Sequence, residues 1–417
     1  MRNATQRSTG SLHEVSGGKR EDSLQARVSS AALGLTRLKL TDFRSYAEAE
    51  LRLQGNLPVV LTSCNGAGKT NLLEAVSYLS PGRGLRNARL GDVTRNTAAA
   101  GATWAAAAII IDGDGTEIRI GTGLEAGGTQ SGNGEGPRRE RRVVRIDGVP
   151  MGGPAALSDR VKVSWITPQM DRLFAEAPSE RRRFLDRLVY GFDPGHAGRV
   201  GAYERALRGR GKILKDHGGG ADPKWLDALE NTLAEQGVAI AAARRETVAR
   251  LRGAITRGVG PFPGANIAVS GQVEEWLDQM AAVDAEDKLR VEFRRARGTD
   301  AASGRATVGP HKSDLRVRHK AKDMPAEQCS TGEQKALLIA IVLADAGVQA
   351  GLGGGAPILL LDEIAAHLDE VRRAALFEEL SALGAQVWLT GTDANLFEPL
   401  RASAEFLTVD QGRVTAG

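Results

Sequence analysis

Cysteine is scarce in this chain. Its 417 residues include only Cys64 and Cys329, too few for a disulfide framework or for the four ligands of a structural zinc site. A reducing compartment is expected. Aromatic side chains make up 4% of the sequence, which argues against a protein built around many stacked bases. No run approaches the roughly 18 to 20 consecutive apolar residues that span a bilayer, and the N-terminus lacks the apolar core of a secretory signal. Neither sign of charge dominates: 55 basic against 51 acidic residues leave a formal +4. That balance is compatible with a polyanionic partner but identifies none unless the charge is clustered. Together these absences predict a cytoplasmic protein with no membrane segment of its own.

What is present suggests two or three domains, at about 150 residues each. Residues 1–32 are polar and poor in large apolar side chains, and read as a disordered extension or a misassigned start. Order begins near Leu35–Leu40, with a second short strand near Ala49–Leu53 and a buried one at 57–62. Further strands are expected at 104–111, 116–120 and Val143–Ile146, around a Gly-, Ser- and Arg-rich surface loop over 121–142. From Ser179 to about Arg297 the pattern turns helical. Leu226, Leu229, Leu233, Ile240, Leu251 and Ile255 mark one amphipathic helix, and Glu274–Arg295 reads as another. After Gly309-Pro310-His311 the α/β pattern returns. The expected fold is therefore α/β, a P-loop sheet split in sequence by a compact helical lobe. Its parts are 1–32, the extension; 33–170, the first half of the sheet; 171–305, the helical lobe; and 306–417, the second half.

The strongest motif is Ser63-Cys64-Asn65-Gly66-Ala67-Gly68-Lys69-Thr70-Asn71, between a strand and an apolar helix, the context that a Walker A loop requires. Glycines let the backbone wrap so that amides face phosphate oxygens, and the helix N-terminus adds its positive dipole end. Lys69 would reach the β/γ-phosphates and Thr70 would ligate Mg²⁺. The loop departs from GxxxxGK[ST] at Ser63, where glycine is usual. The competing reading is a glycine-rich start to a helix with an incidental Lys-Thr.

Pro357-Ile-Leu-Leu-Leu361-Asp362-Glu363 is an apolar strand that ends in two acids. At the carboxyl end of a buried strand Asp362 suits Mg²⁺ and Glu363 suits an attacking water; two solvated acids are the plainer reading. Upstream, Ser330-Thr-Gly332-Glu-Gln334 precedes a helix and resembles the ABC signature motif. His367-Leu368-Asp369 stands at the distance of a D-loop. Gln386–Asp393 reads as the next core strand, with Thr392 and Asp393 where a switch residue is expected. Cys64 and Cys329, beside the two nucleotide motifs, read as small residues filling tight spaces.

The order of these motifs resembles an ABC-type ATPase of the SMC/RecF branch, and within it the RecF family. The resemblance is carried by Leu40-Thr-Asp-Phe43-Arg44-Ser-Tyr46, the Walker A loop, Pro178-Ser-Glu-Arg181-Arg182-Arg183-Phe-Leu-Asp186, Gly309-Pro-His311-Lys-Ser-Asp314 and the signature. It implies ATP and Mg²⁺ as cofactors and an ATP-sandwiched homodimer in which the Walker motifs of one chain face Ser330, Gly332 and Gln334 of the other. It also implies DNA binding in recombinational repair, replication restart and SOS induction, slow hydrolysis, and RecR, with RecO, as partners. Gln169 would stand at the Q-loop as a third metal-site residue, although Pro168-Gln169-Met170-Asp171 departs from the usual Pro-Glu-Asp-Leu. Arg44 would lie beside the nucleotide or be a surface arginine. The alternative function is the ATPase subunit of an ABC-type transporter. Candidate phosphate-binding clusters are Arg138–Arg142, Arg181–Arg183 and Arg205, Arg208, Arg210, Lys212 and Lys215; any one such cluster is more often a solvated face.

Overall fold

A computed structural model describes residues 33–125, 140–218 and 221–417. The expected extension at 1–32 lies outside the described residues, as do Arg138 and Arg139. Of the loop expected over 121–142, residues 121–124 instead complete the strand Glu117–Leu124 and 126–139 fall outside the described residues.

The centre is a six-stranded sheet in the order Arg413–Ala416, Glu405–Asp410, Val59–Thr62, Val387–Gly391, Ile358–Leu361, Val163–Ile166. All neighbours are parallel except the C-terminal hairpin. Parallel strands buried on both faces must be apolar throughout, which is why Val59-Val60-Leu61 and Ile358–Leu361 show no alternation. Alternation instead sorts the side chains. Val60, Leu359, Leu361, Val387 and Leu389 join one core, while Val59, Leu61, Ile358, Leu360 and Trp388 join the other.

The second core fills the space beneath an antiparallel sheet, ordered Tyr46–Arg52, Gly34–Phe43, Ala105–Ile111, Glu117–Leu124, Arg142–Ile146, Val149–Pro150. The Walker helix, Lys69–Ser77, lies in that core with Leu72, Leu73, Ala75 and Val76 buried. The first core is dominated by the helix Thr331–Gln349, in which every residue from Gln334 to Ala346 is buried. Among the described residues this helix, through Leu352, is the one long and apolar enough to cross a membrane. Its burial against the sheet accounts for the composition.

The helical lobe contains Pro178–Tyr190, His196–His217, Pro223–Arg257, Gln272–Gln279, Ala282–Arg295 and Arg297–Ser303. Asp222 caps the longest helix through the Lys224 amide, and Pro223 occupies its first position, where a missing N–H costs nothing. Two expectations change. The stretch Glu274–Arg295 is two helices, broken at Met280-Ala281. A strand, Ala265–Ser270, interrupts the helical run and pairs antiparallel with Asp314–His319.

Two of the sequence motifs meet at the joint between lobe and sheet. Arg181 forms a two-pronged pair with Asp314, at 2.7 and 2.9 Å, and Arg182 donates to the Ser313 carbonyl at 2.7 Å. Asp186 accepts both prongs of Arg244 at 2.8 Å and also contacts His196 at 2.8 Å. Arg244 and His196 hold the Asp186 carboxyl far below the usual carboxylate range despite its burial.

Candidate nucleotide site

The Walker A loop leaves the central strand at Thr62 and turns back into its helix. Gly68 has φ +118°, and a Cβ there would sit 2.8 Å from the Tyr46 hydroxyl and 2.9 Å from Ser45 Oγ. Only glycine fits that turn. The Tyr46 hydroxyl donates to the Gly68 carbonyl at 3.0 Å, and Asn71 donates to Ser45 Oγ at 2.9 Å. The first hairpin thus braces the back of the loop. Among the described residues the amides of Gly66, Gly68, Lys69 and Thr70 have no hydrogen-bond partner. They form a concave set of donors at a helix N-terminus, a suitable seat for phosphate. Lys69 is buried and arches over the loop, donating to the carbonyls of Ser63 at 2.7 Å and Cys64 at 3.0 Å. Burial lowers its pKa, opposed by the negative charges of Glu363 and Asp362.

The Walker B acids lie at the same edge of the sheet. One strand, Val387–Gly391, separates the strands that carry the two motifs. Thr70 Oγ1 stands 3.0 Å from both carboxylate oxygens of Asp362, so residues 292 positions apart share one hydrogen bond. Thr390 Oγ1 donates to Asp362 at 2.7 Å and accepts the Glu363 amide at 2.8 Å. Burial raises the Asp362 pKa, and the two threonine hydroxyls oppose the rise. Hydrogen bonds to a charged group contribute about 1.5–3 kcal/mol each, so the two threonine hydroxyls favour the charged form against its burial. Glu363 is held at φ +52°, a left-handed conformation costly for a side chain of this type. A hydroxyl and a carboxylate at this spacing form a hard oxygen pair of the kind that suits Mg²⁺.

Thr390 is the site residue that sequence reasoning missed. The available signal was a threonine near the end of an otherwise apolar strand next to the Walker B strand. Thr392 and Asp393, expected at the switch, are exposed, and Asp393 caps the following turn by accepting the Asn395 amide. Asp369 likewise caps the helix Glu370–Leu383 through the Arg372 amide. Gln169 is exposed on the turn Pro168–Arg172, just beyond the strand beside Walker B, and makes no hydrogen bond to Thr70 or Asp362. Arg44 is not a free surface arginine. It grips the fully buried Glu74 of the Walker helix at 2.9 and 2.7 Å, and Arg86 reaches the same carboxylate at 2.6 Å.

Ser330 caps the helix Thr331–Gln349 in a capping box with Glu333, and Thr331 and Gly332 are exposed beside it. Gln334 does not join them. Its side chain turns inward and donates to the Cys329 carbonyl at 2.9 Å. Among the described residues no hydrogen bond links Ser330 or Gly332 to the Walker loop or the two acids. Cys329 is buried as expected, whereas Cys64 is exposed on the loop and fills no tight space.

Four of the basic residues proposed for phosphate contact, Arg142, Arg181, Arg182 and Arg210, are committed elsewhere. Arg210 is buried against Glu230 at 2.8 Å and Asp300 at 2.5 Å. Arg181 serves the lobe joint. Burial lowers the pKa of Arg142 to about 10, and its guanidinium donates to the carbonyls of Tyr78, Ser80 and Gly82 beyond the Walker helix.

Comparison with known proteins accounts for this arrangement. Residues 34–415 match the RecF/RecN/SMC N-terminal domain. A DNA replication and repair protein RecF from Agrobacterium fabrum is 50% identical over 386 residues, 92% of this chain and 99% of that one. The Brucella suis RecF is 49% identical over the same share of this chain and 96% of its own. In fold, a structure of the recombination mediator protein RecF with ATP superposes with a TM-score of 0.76 at 20% identity, covering 93% of this chain and 98% of the other. An Smc head domain from Pyrococcus furiosus gives 0.50 at 15%, covering 92% and 96%. The antiparallel sheet, the parallel P-loop sheet and the inserted helical lobe are thus the ATPase head of this group, and the chain belongs to the RecF family.

Proposed function

We propose that the protein binds ATP with Mg²⁺ and uses it to engage DNA during replication and recombinational repair. The observation that carries this reading is the Thr70–Asp362–Thr390 constellation beneath an amide-lined loop. It brings phosphate donors, a metal-binding oxygen pair and a candidate water-orienting acid, Glu363, to one edge of the sheet. An open groove of about 410 Å³ lined by Arg44, Ser45, Arg95, Asn96, Thr97 and Gln411 adjoins the first hairpin, which braces the loop. The relatives named as RecF supply the link to DNA repair, and the RecF structure with ATP supports the nucleotide. The transporter-subunit reading finds no support among these relatives.

In the finer reading, Ser330 and Gly332 complete the site of a second copy, so that ATP closes a two-fold dimer on DNA at duplex or single-strand junctions. Glu363 hydrolyses ATP slowly as a reset, with Asp369, Thr392 and Asp393 near the closing interface and Gln169 sensing Mg²⁺. Restart of replication, SOS induction, RecR and RecO belong to the same proposal, as does a cytoplasmic location. The decisive test is fluorescence anisotropy of a labelled gapped duplex at fixed salt, with and without ATP-Mg²⁺. ATP-dependent binding that Lys69→Met eliminates is the expected result. A protein that binds ATP yet no DNA in any nucleotide state would overturn the reading.

A further inference from the structure

The outer face of the helical lobe carries an arrangement that the nucleotide site does not use. On the helix His196–His217, Arg205, Arg208, Lys212 and Lys215 are all exposed. Spacings of three, four and three residues place them within about 80° of arc, a stripe about 15 Å long. The buried side chains of the same helix, Tyr203, Ala206, Arg210 and Leu214, lie on the opposite side. Among the described residues Arg205, Lys212 and Lys215 have no acidic partner. Arg208 meets only the exposed Glu204, at 3.4 Å, and Asp216 is the other acid near this face.

The stripe runs to the tip of a helical hairpin. Leu214, from the end of the first helix, packs with Ala221 and Leu226, at the start of Pro223–Arg257. Their chain neighbours Lys215 and Trp225 therefore stand at the same tip. Trp225 is 64% exposed, whereas the other four tryptophans are buried. A large bare indole at the hairpin end to which a row of cations leads has the two parts of a single-strand platform: charge that follows the backbone and a π-face for a base. One platform of this kind stacks one base, in keeping with the low aromatic content of the chain.

We propose that this tip is a second DNA-contact surface, which takes an unpaired strand along the basic stripe and stacks one base on Trp225. The proposal rests on the DNA-binding reading above but adds a surface remote in sequence from the ATP site. Because Trp225 is the one exposed tryptophan, its fluorescence reports directly. In the full-length protein with ATP-Mg²⁺, oligothymidylate should quench the exposed tryptophan signal, and a blunt duplex should not. Trp225→Ala should lose the quench and weaken single-strand binding about 5- to 150-fold, the range for one stacked base. Changing Arg205, Lys212 and Lys215 to Gln together should lower the salt slope by about 2, at about 0.7 for each phosphate contact on a single strand. ATP binding should be unchanged in both variants, which shows that the head is folded. If the wild type binds DNA and both variants bind it equally well, this proposal fails and the broader reading stands. Equal quenching by the blunt duplex would overturn the assignment to an unpaired strand. Quenching by a mediator protein but by no DNA would make the tip a protein-docking surface instead. A wild type that binds no DNA would defeat both readings.

Discussion

A single hydroxyl, that of Thr390, sets the geometry of both Walker B acids. It donates to Asp362 and accepts the amide of Glu363, the residue held in a left-handed backbone. Thr390→Val keeps the shape and removes both bonds. Expected are a stability loss of about 1–3 kcal/mol, as for a buried group left unpaired, and a drop in ATP turnover of tenfold or more with ATP binding retained. A fluorescent ATP analogue and a phosphate-release assay separate the two; unchanged turnover would remove Thr390 from the site. The residue escaped the sequence reading because a polar side chain inside an apolar strand signals nothing until its neighbour is known. Gln334 shows the other side of the same limit. Its place in the signature suggested nucleotide contact, but one turn into the helix it falls on the buried face with Leu337, Leu338 and Ile341.

At the scale of elements, the motif-bearing strands and the long amphipathic helix were legible because each carries a periodic or uninterrupted apolar pattern. Ala265–Ser270 was not. Six residues after a Pro-Gly turn, in a helical neighbourhood, acquire strand character only from pairing with Asp314–His319, which no local pattern reveals. The core helix Thr331–Gln349 hides a further point. Near its end Asp345 is wholly buried, accepts from Gln349 at 2.9 Å, and lies in a small enclosed cavity with Arg187, Lys162, Ser158 and Ser164. Burial pushes its carboxyl up to about 7, although Gln349, Arg187 and Lys162 oppose the rise. An acid whose pKa is higher in the folded state binds its proton there after the unfolded chain has lost it. Stability is therefore lost as pH rises from about 4 to about 7 and levels above that. Asp345→Asn, which mimics the protonated form, should raise the melting temperature by a margin that widens over that window and is constant above it. A margin independent of pH would show that the carboxyl does not titrate there.

The sequence carries one Walker A loop, one pair of Walker B acids and one signature turn, and among the described residues no hydrogen bond joins the last to the first two. A second copy is the simplest way to complete the site. With ATP present, Glu363→Gln should run as a dimer by light scattering and Lys69→Met as a monomer. If Glu363→Gln stays monomeric at saturating ATP, the sandwich is wrong. The fold class and the order of motifs at this scale could be read from the sequence, since each motif keeps its own local context. The pairings that tie the lobe together and to the strand after it could not, because Arg181–Asp314 and Asp186–Arg244 span 133 and 58 positions.

The strand that feeds the Walker loop is flanked on both sides by strands from the last tenth of the chain, Val387–Gly391 and Glu405–Asp410. During synthesis, then, the phosphate loop emerges early and its supporting strand waits with two bare edges until residues 387–410 follow. Such edges invite mispairing until both neighbours are in place. A fragment that ends before residue 387 contains the whole Walker A motif with neither neighbouring strand to hold it.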